Sequence, residues 1–300
     1  LIKTKDLFHN HMGSHKNAWA AILVDLLRVD GAYDGEGLGL YYFDLDIHEI
    51  LNELEDEEIE EEFAKYNCKM NKNELNILMQ VVLGVFKITP AINYVKSTLT
   101  PEEKRDVLGY RAFDNYVMFN CPKTTQGIRS FLPVKSDENR VVRYVKTVFG
   151  CTSEEAKTVL ELVFSLLVQN SIDVSSEKIL FKHQKKDAYQ ITASRYVIKN
   201  YKTSKFFQCS KCGRLTPYNL RGKCTRDKCT GILSEVNPDE ALATNFYRNQ
   251  YKEKKIESIV IQEHTAQLER KQAKEYQKDF KNKKINILSC STTFEMGIDI

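Results

Sequence analysis

The stretch from residue 207 to residue 233 holds four of the eight cysteines of this chain in a fixed pattern. It is written FQCSKCGRLTPYNLRGKCTRDKCTGIL, so the spacing is Cys-x2-Cys, eleven residues, then Cys-x4-Cys. Zinc takes four tetrahedral ligands, and closely spaced cysteine pairs supply them in structural sites. The pattern therefore predicts one zinc ion bound by Cys209, Cys212, Cys224 and Cys229. Four thiolates leave no open coordination position, so we expect a structural rather than a catalytic site.

Glycines and basic residues accompany the cysteine pairs. We expect Gly213, directly after the first pair, and Gly231, shortly after the second, to adopt the positive φ that a tight knuckle turn needs. The basic residues in or beside the turns are Lys211, Arg214, Arg221, Lys223, Arg226 and Lys228. They either bind the phosphates of a nucleic acid or form a solvated surface, and the sequence leaves both interpretations open.

Length and composition restrict the class of protein. A chain of 300 residues suggests two or three domains. No apolar run reaches the roughly 20 residues that span a bilayer, and the first residues do not form a signal peptide. The other four cysteines are scattered, so we expect a reducing, cytoplasmic compartment. The chain lacks an initial Met and stops at Ile300 inside a motif, and we interpret it as part of a longer polypeptide.

Hydrophobic periodicity and capping signals predict an α/β multidomain fragment with four regions. The regions are a mostly helical accessory region (1–96), a winged-helix-like domain (97–200), a zinc ribbon (201–236) and the start of a RecA-like parallel α/β lobe (237–300). In the first region we expect a buried helix at 18–29, a strand at 40–45 and helices near 47–66 and 73–87.

The winged-helix-like pattern consists of helices followed by a two-stranded hairpin. Thr152 to Glu155 form a capping box, the usual start of a helix. Behind it, one apolar face repeats at the helical spacing of three and four residues: Ala156, Val159, Leu160, Val163, Phe164 and Leu167. Two strand candidates follow, SEKILFK and AYQITASRYVI.

The last region alternates helices and strands. We expect a strand at 256–262, a helix at 267–281 with Ala273, Tyr276 and Phe280 facing inward, and a strand at 285–290. A strand, a helix and a strand in this order indicate a parallel pair joined by a crossover connection.

Two loops of this region resemble the second RecA-like lobe of superfamily-2 helicases. Glu263 to Gln267 (EHTAQ) stands where the family has a His-containing loop, and Ser291 to Ile300 (STTFEMGIDI) stands at motif V. The pattern is similar to that of large bacterial helicases related to the Lhr group. It is also similar to the zinc-containing helicases of phage-defence systems such as Druantia and DISARM.

The resemblance implies two sets of contacts. The residues that contact a nucleic-acid backbone, expected to be DNA, are His264, Thr265, Ser291 and Thr292. The residues that approach ATP are Gly297, which lets the chain pass close to the nucleotide, and Asp299, which hydrogen-bonds the ribose. The resemblance further implies Mg²⁺ alongside ATP in the full-length protein, and other subunits of a defence or repair complex as partners.

Several parts of a complete motor are missing from the sequence. No Gly-x4-Gly-Lys-Ser/Thr phosphate loop occurs. The acidic run from Glu53 to Glu62 lacks the apolar strand that precedes a metal-binding Asp-Glu box. We therefore expect no catalytic residue within this chain and no ATP hydrolysis by it alone. Helicase and ATPase activity is expected of the longer polypeptide.

Other interpretations stay open. The chain is alternatively a non-catalytic nucleic-acid-binding adaptor with a winged helix and a zinc ribbon, or a zinc scaffold that recruits proteins. The STTF stretch is alternatively an ordinary strand end, and Asp299 a helix N-cap in a different α/β fold.

Overall fold

A computed structural model describes residues 2–3, 22–29, 31–93, 105, 115–121, 126–134, 136–169, 179–253, 260–264 and 268–290. These residues form a mixed α/β structure. Contacts divide the chain into two compact units, Leu1–Arg248 and Asn249–Ile300. Among the helices of the described ranges, none combines the length and the apolar character that crossing a bilayer requires.

The helices are α1 His48–Asn52, α2 Asp56–Ala64, α3 Lys72–Val82, α4 Gly84–Ile88, α5 Arg140–Phe149, α6 Ser153–Gln169, α7 Pro238–Ala241, α8 Phe246–Glu253 and α9 Arg270–Lys281. The strands are β1 Ile2–Lys3, β2 Tyr41–Leu45, β3 Ile92–Asn93, β4 Tyr116–Met118, β5 Ile128–Ser130, β6 Leu180–Lys182, β7 Ala188–Thr192, β8 Tyr196–Asn200, β9 Phe206–Cys209, β10 Leu215–Thr216, β11 Leu233–Val236, β12 Ile261–His264 and β13 Ile287–Cys290. Residues 22–26 form a further helical segment.

The strand expected at 40–45 is confirmed as β2, but two expected helices are each divided. The acidic helix expected at 47–66 is α1 followed by α2. Glu55 is extended and flanks the start of α2, whose first turn places three acidic side chains at the helix end that favours negative charge. The helix expected at 73–87 is α3 followed by α4.

Two sheets organise the first unit. One is antiparallel and has the order β1-β8-β2. The other has the order β3-β7-β4-β5, with β6 paired to β7, and mixes parallel and antiparallel neighbours. The antiparallel β6–β7 pair confirms the expected hairpin. The second expected strand, AYQITASRYVI, is however divided into β7 and β8, which belong to different sheets. Because β2 pairs with β8 and β3 pairs with β7, each sheet contains strands from both the expected accessory region (1–96) and the expected winged-helix-like domain (97–200).

Helix α6 has the start and the buried face that the sequence predicts. The backbone N–H of Thr152 donates to Glu155 Oε2 at 2.7 Å, and the backbone N–H of Glu155 donates to Thr152 Oγ1 at 3.2 Å. All six expected apolar residues are buried. They belong to one continuous core that runs from Leu23 to Leu220. The expected domain boundaries after residues 96, 200 and 236 therefore all fall inside the first compact unit.

The ribbon formed by β9, β10 and β11 is antiparallel, with β9 in the centre. Ion pairs join it to the helices of the same unit. Arg143 of α5 makes two hydrogen bonds to the carboxylate of Asp227, at 3.0 and 2.8 Å. Arg221 donates to Glu74 of α3 at 2.9 Å, and its guanidinium lies 4.5 Å from the centre of the Phe149 ring.

In the second unit, β12 and β13 pair in parallel with α9 between them in the chain. This pairing confirms the expected crossover order. The strand expected at 256–262 is described only from residue 260. Ala273, Tyr276 and Phe280 of α9, expected to face inward, are half-buried.

The ribbon ion pairs predict a pH-dependent stability. Hydrogen bonds from Arg143 and Arg221 lower the pKa of Asp227 and of Glu74, respectively. The folded-state pKa lies below the unfolded value of about 4, so the pairs stabilise above that pH and lose their effect as the pH falls through the folded-state pKa. We expect Asp227→Asn and Glu74→Gln each to lower the free energy of unfolding by at most about 1 kcal/mol near neutral pH.

Urea unfolding at neutral and at acidic pH measures this effect. Both substitutions should change little once the carboxyl groups are protonated in the wild-type protein. Asp187→Asn is the control, because Asp187 pairs with Lys182 of β6, not with the ribbon, and its side chain is 80% exposed. A loss of stability that is the same at both pH values would contradict the electrostatic account.

Candidate metal centre

Two tight turns at one end of the ribbon carry the cysteines. Strand β9 ends at Cys209, whose N–H donates to the carbonyl of Arg214 at 2.9 Å. The N–H of Gly213 donates to the carbonyl of Cys209 at 3.0 Å, which closes the first turn. In the second turn the N–H of Cys229 donates to the carbonyl of Arg226 at 3.1 Å. Local hydrogen bonds therefore set the position of each cysteine pair.

The four sulfur atoms lie within 4.8 Å of one another. Cys209 Sγ is 3.6 Å from Cys229 Sγ, and Cys212 Sγ is 3.7 Å from Cys224 Sγ. A tetrahedral site with metal–sulfur bonds of about 2.3 Å places its sulfur atoms roughly 3.8 Å apart. The cluster is therefore compatible with zinc. In the described ranges, no other group of three or more Cys, His, Asp or Glu side chains has a comparable arrangement.

Burial and backbone N–H groups act in opposite directions on the thiols. Burial raises the pKa of Cys209, whereas the N–H groups of Cys212 and Lys211 lower it, and the resulting pKa is about 7. Burial raises the pKa of Cys224 above its ordinary value, although the N–H of Arg226 opposes the shift. A metal ion needs thiolates, so binding must release protons and becomes weaker as the pH falls.

The two glycines act differently from each other. Gly213 has φ +68°, which confirms the expected positive φ. The same expectation for Gly231 is wrong, and in the second turn Lys228 has the positive φ, at 60°. Gly231 is needed for space instead: a Cβ there would lie 2.3 Å from Cys209 Sγ and 3.0 Å from the backbone nitrogen of Lys211.

The basic residues of the ribbon fall into two groups. Arg221 pairs with Glu74, and Arg214 pairs with Glu36 at 3.0 Å, so both arginines attach the ribbon to the rest of the unit. Lys211, Arg226 and Lys228 are exposed, as Arg221 is, and Lys223 is half-buried. The partners Glu36 and Glu74 lie more than 140 residues away in the chain, and no local pattern identifies them.

The remaining expected site residues lie at or beyond the end of the described ranges. His264 is the last residue of β12, and its Cα is paired with that of Cys290 at the end of β13. Thr265, Ser291, Thr292, Gly297 and Asp299 lie outside the described residues. Their roles in contacting nucleic acid and ATP therefore stay predictions.

Comparisons of the chain with protein-family models, with curated proteins and with solved structures found no match. Inference of function therefore rests on the residues and on their geometry.

The close approach of Gly231 to Cys209 predicts that the second turn tolerates no side chain there. We expect Gly231→Ala to weaken metal binding by about tenfold or more, because the added methyl group displaces a ligand sulfur. Titration with Co²⁺, whose visible absorption reports tetrahedral thiolate coordination, measures the affinity.

Gly213→Ala is the matched control. It strains a positive φ, but its Cβ meets no atom within 4 Å. It should therefore cost stability of about 1 kcal/mol and leave the metal site nearly intact. Equal Co²⁺ affinities for the two variants would show that Gly231 does not protect the site.

Proposed function

We propose that Cys209, Cys212, Cys224 and Cys229 hold one structural Zn²⁺ ion. The support is the pair of sulfur–sulfur distances, 3.6 and 3.7 Å, which match a tetrahedral tetrathiolate. Zinc holds the end of β9, whose Phe206 contacts Tyr42 of β2. It also holds the second cysteine pair, close in the chain to Arg221 and Asp227, which pair with residues of α3 and α5. The ion therefore has a structural role and performs no chemistry.

Elemental analysis tests the zinc proposal. Protein purified under reducing conditions should contain about one zinc per chain, and Cys209→Ser should lose it because three thiolates bind zinc far less tightly. Cys121→Ala removes a thiol outside the cluster and should keep the metal. Full zinc content in Cys209→Ser would exclude this ligand set.

We further propose that the chain is part of an ATP-dependent helicase or translocase that acts on nucleic acid, with DNA as the expected substrate. The observation that carries this proposal is the parallel register of β12 and β13, which ends with His264 opposite Cys290. Neighbouring strands lie about 4.8 Å apart. Both strands thus end at the same edge of the sheet, and in the chain they are followed directly by Thr265 and Ser291.

That edge is formed by the carboxyl ends of parallel strands, where open α/β folds bind their ligands. The hydroxyl groups of Thr265, Ser291 and Thr292, with nearby backbone N–H groups, suit a phosphodiester because they bind it without reading bases. Gly297 and Asp299, a few residues further along, would contact the nucleotide. One segment that contacts both a nucleic acid and ATP is what couples hydrolysis to movement.

The charge of α9 supports a polyanionic partner. Its exposed basic side chains are Arg270, Lys271, Lys274, Lys278 and Lys281. Its acidic residues are Glu275 and Asp279. An excess of exposed positive charge on the helix that follows β12 raises affinity for phosphates, with the salt dependence that such contacts bring.

ATP hydrolysis tests the motor proposal. In the longer polypeptide that the helicase resemblance implies, Ser291→Ala and Asp299→Ala should each lower nucleic-acid-stimulated turnover by about a hundredfold or more. Each substitution removes a contact that positions nucleic acid or nucleotide for the reaction. Ser234→Ala, on the exposed side of β11, is the control and should leave turnover unchanged. Wild-type turnover in both test variants would reject the motif V assignment.

A further inference from the structure

A cleft of about 970 Å³ lies where three parts of the first unit meet. Strands β2 and β8 form one wall, α3 forms a second and the ribbon forms the third. The lining includes Tyr41 of β2 and Asn200 of β8, Asn73 of α3, and Phe207 of the ribbon. Its volume is at the upper end of the range of about 300–1,000 Å³ that is typical of ligand sites, and such sites favour junctions of this kind.

The composition of the lining differs from that of the chain. Acidic residues make up 41 of the 300 residues, so fourteen residues drawn from it would include about two. The fourteen described residues that line the cleft include no Asp or Glu, but they include Lys199 and Lys205. The lining itself therefore carries two lysines, and the carboxylates that pair with them, Asp44 and Glu235, lie outside it.

Lys205 is well placed to exchange its present partner for a phosphate. Its side chain is 73% exposed, and it pairs at 3.0 Å with Glu235, which is 56% exposed. Exposed pairs of this kind contribute little to stability. Lys199, by contrast, pairs with the more buried Asp44, so we assign the phosphate contact to Lys205.

Aromatic and amide groups complete the lining. The rings of Tyr41 and Phe207 are half-buried and form part of the walls. Every nucleobase has a flat face that stacks on such rings. Asn73 is exposed on α3, and its carboxamide offers both donors and an acceptor to a base edge.

We propose that this cleft binds a single-stranded segment of nucleic acid, with bases against Tyr41 and Phe207 and a phosphate at Lys205. A duplex keeps its bases stacked on each other, so rings in a cleft select unpaired nucleotides. A neutral sugar would make no use of the lysine. The proposal rests on the nucleic-acid partner proposed above, and it adds a contact site far in sequence from the motif V segment.

Binding of a short fluorescein-labelled oligothymidine to the 300-residue chain tests the lysine contact by fluorescence anisotropy. Lys205→Glu should weaken binding by about tenfold and reduce the slope of log affinity against log salt by about one. Lys65→Glu is the matched control: it makes the same charge change at an exposed, ion-paired lysine outside the cleft. Equal losses for the two variants would overturn the proposal.

Photo-crosslinking identifies the site without any substitution. An oligonucleotide that contains 5-iododeoxyuridine should crosslink to Tyr41 or Phe207, as mapped by mass spectrometry of the peptides. If the oligonucleotide binds but crosslinks only elsewhere, the cleft proposal fails and nucleic-acid binding stands. If the oligonucleotide does not bind at all, the cleft proposal fails together with the expected nucleic-acid partner.

Discussion

Five residue pairs join β2 to β8, from Tyr41 opposite Asn200 to Leu45 opposite Tyr196. This pairing closes a loop of about 150 residues and brings the start of the ribbon against the first helices, because β9 begins soon after β8 ends. The side chain of Gln80 on α3 extends the arrangement: it accepts a hydrogen bond from the N–H of Leu45 and donates one to its carbonyl, at 2.9 and 2.7 Å. The core, the docking of the ribbon and the proposed cleft all depend on this contact between distant segments.

Features that depend on neighbouring residues could be predicted from the sequence, and those that depend on distant partners could not. The cysteine spacing and the capping box at Thr152 are local, and the structure has both the sulfur cluster and the buried face of α6. The ion pair between Arg221 and Glu74 spans 147 residues, and a basic residue gives no sign of which carboxylate it will meet. Gly231 shows a second limit. The sequence does not reveal whether a glycine is needed because its φ is positive or because a neighbouring atom leaves no room for a Cβ.

The positive charge of the chain is divided between structure and surface. Arg214 and Arg221 pair with carboxylates of the first unit, whereas the basic side chains of α9 face solvent. A net charge of +3 hides this division, because it counts paired and unpaired groups alike. Any attraction for a polyanion must therefore come from particular faces of the molecule and not from the chain as a whole.

Strand β9 carries Phe207 into the wall of the cleft and, two residues later, ends at Cys209 in the proposed metal centre. A change in metal occupancy that shifts the end of this short strand must also shift the ring. By thermodynamic linkage, a ligand that binds more tightly to the metal-bound form of the cleft must also raise the affinity of the four cysteines for the metal. A metal site that performs no chemistry can in this way regulate binding in the cleft. Removing the metal would lower the affinity of the cleft for a ligand that does not contact the metal.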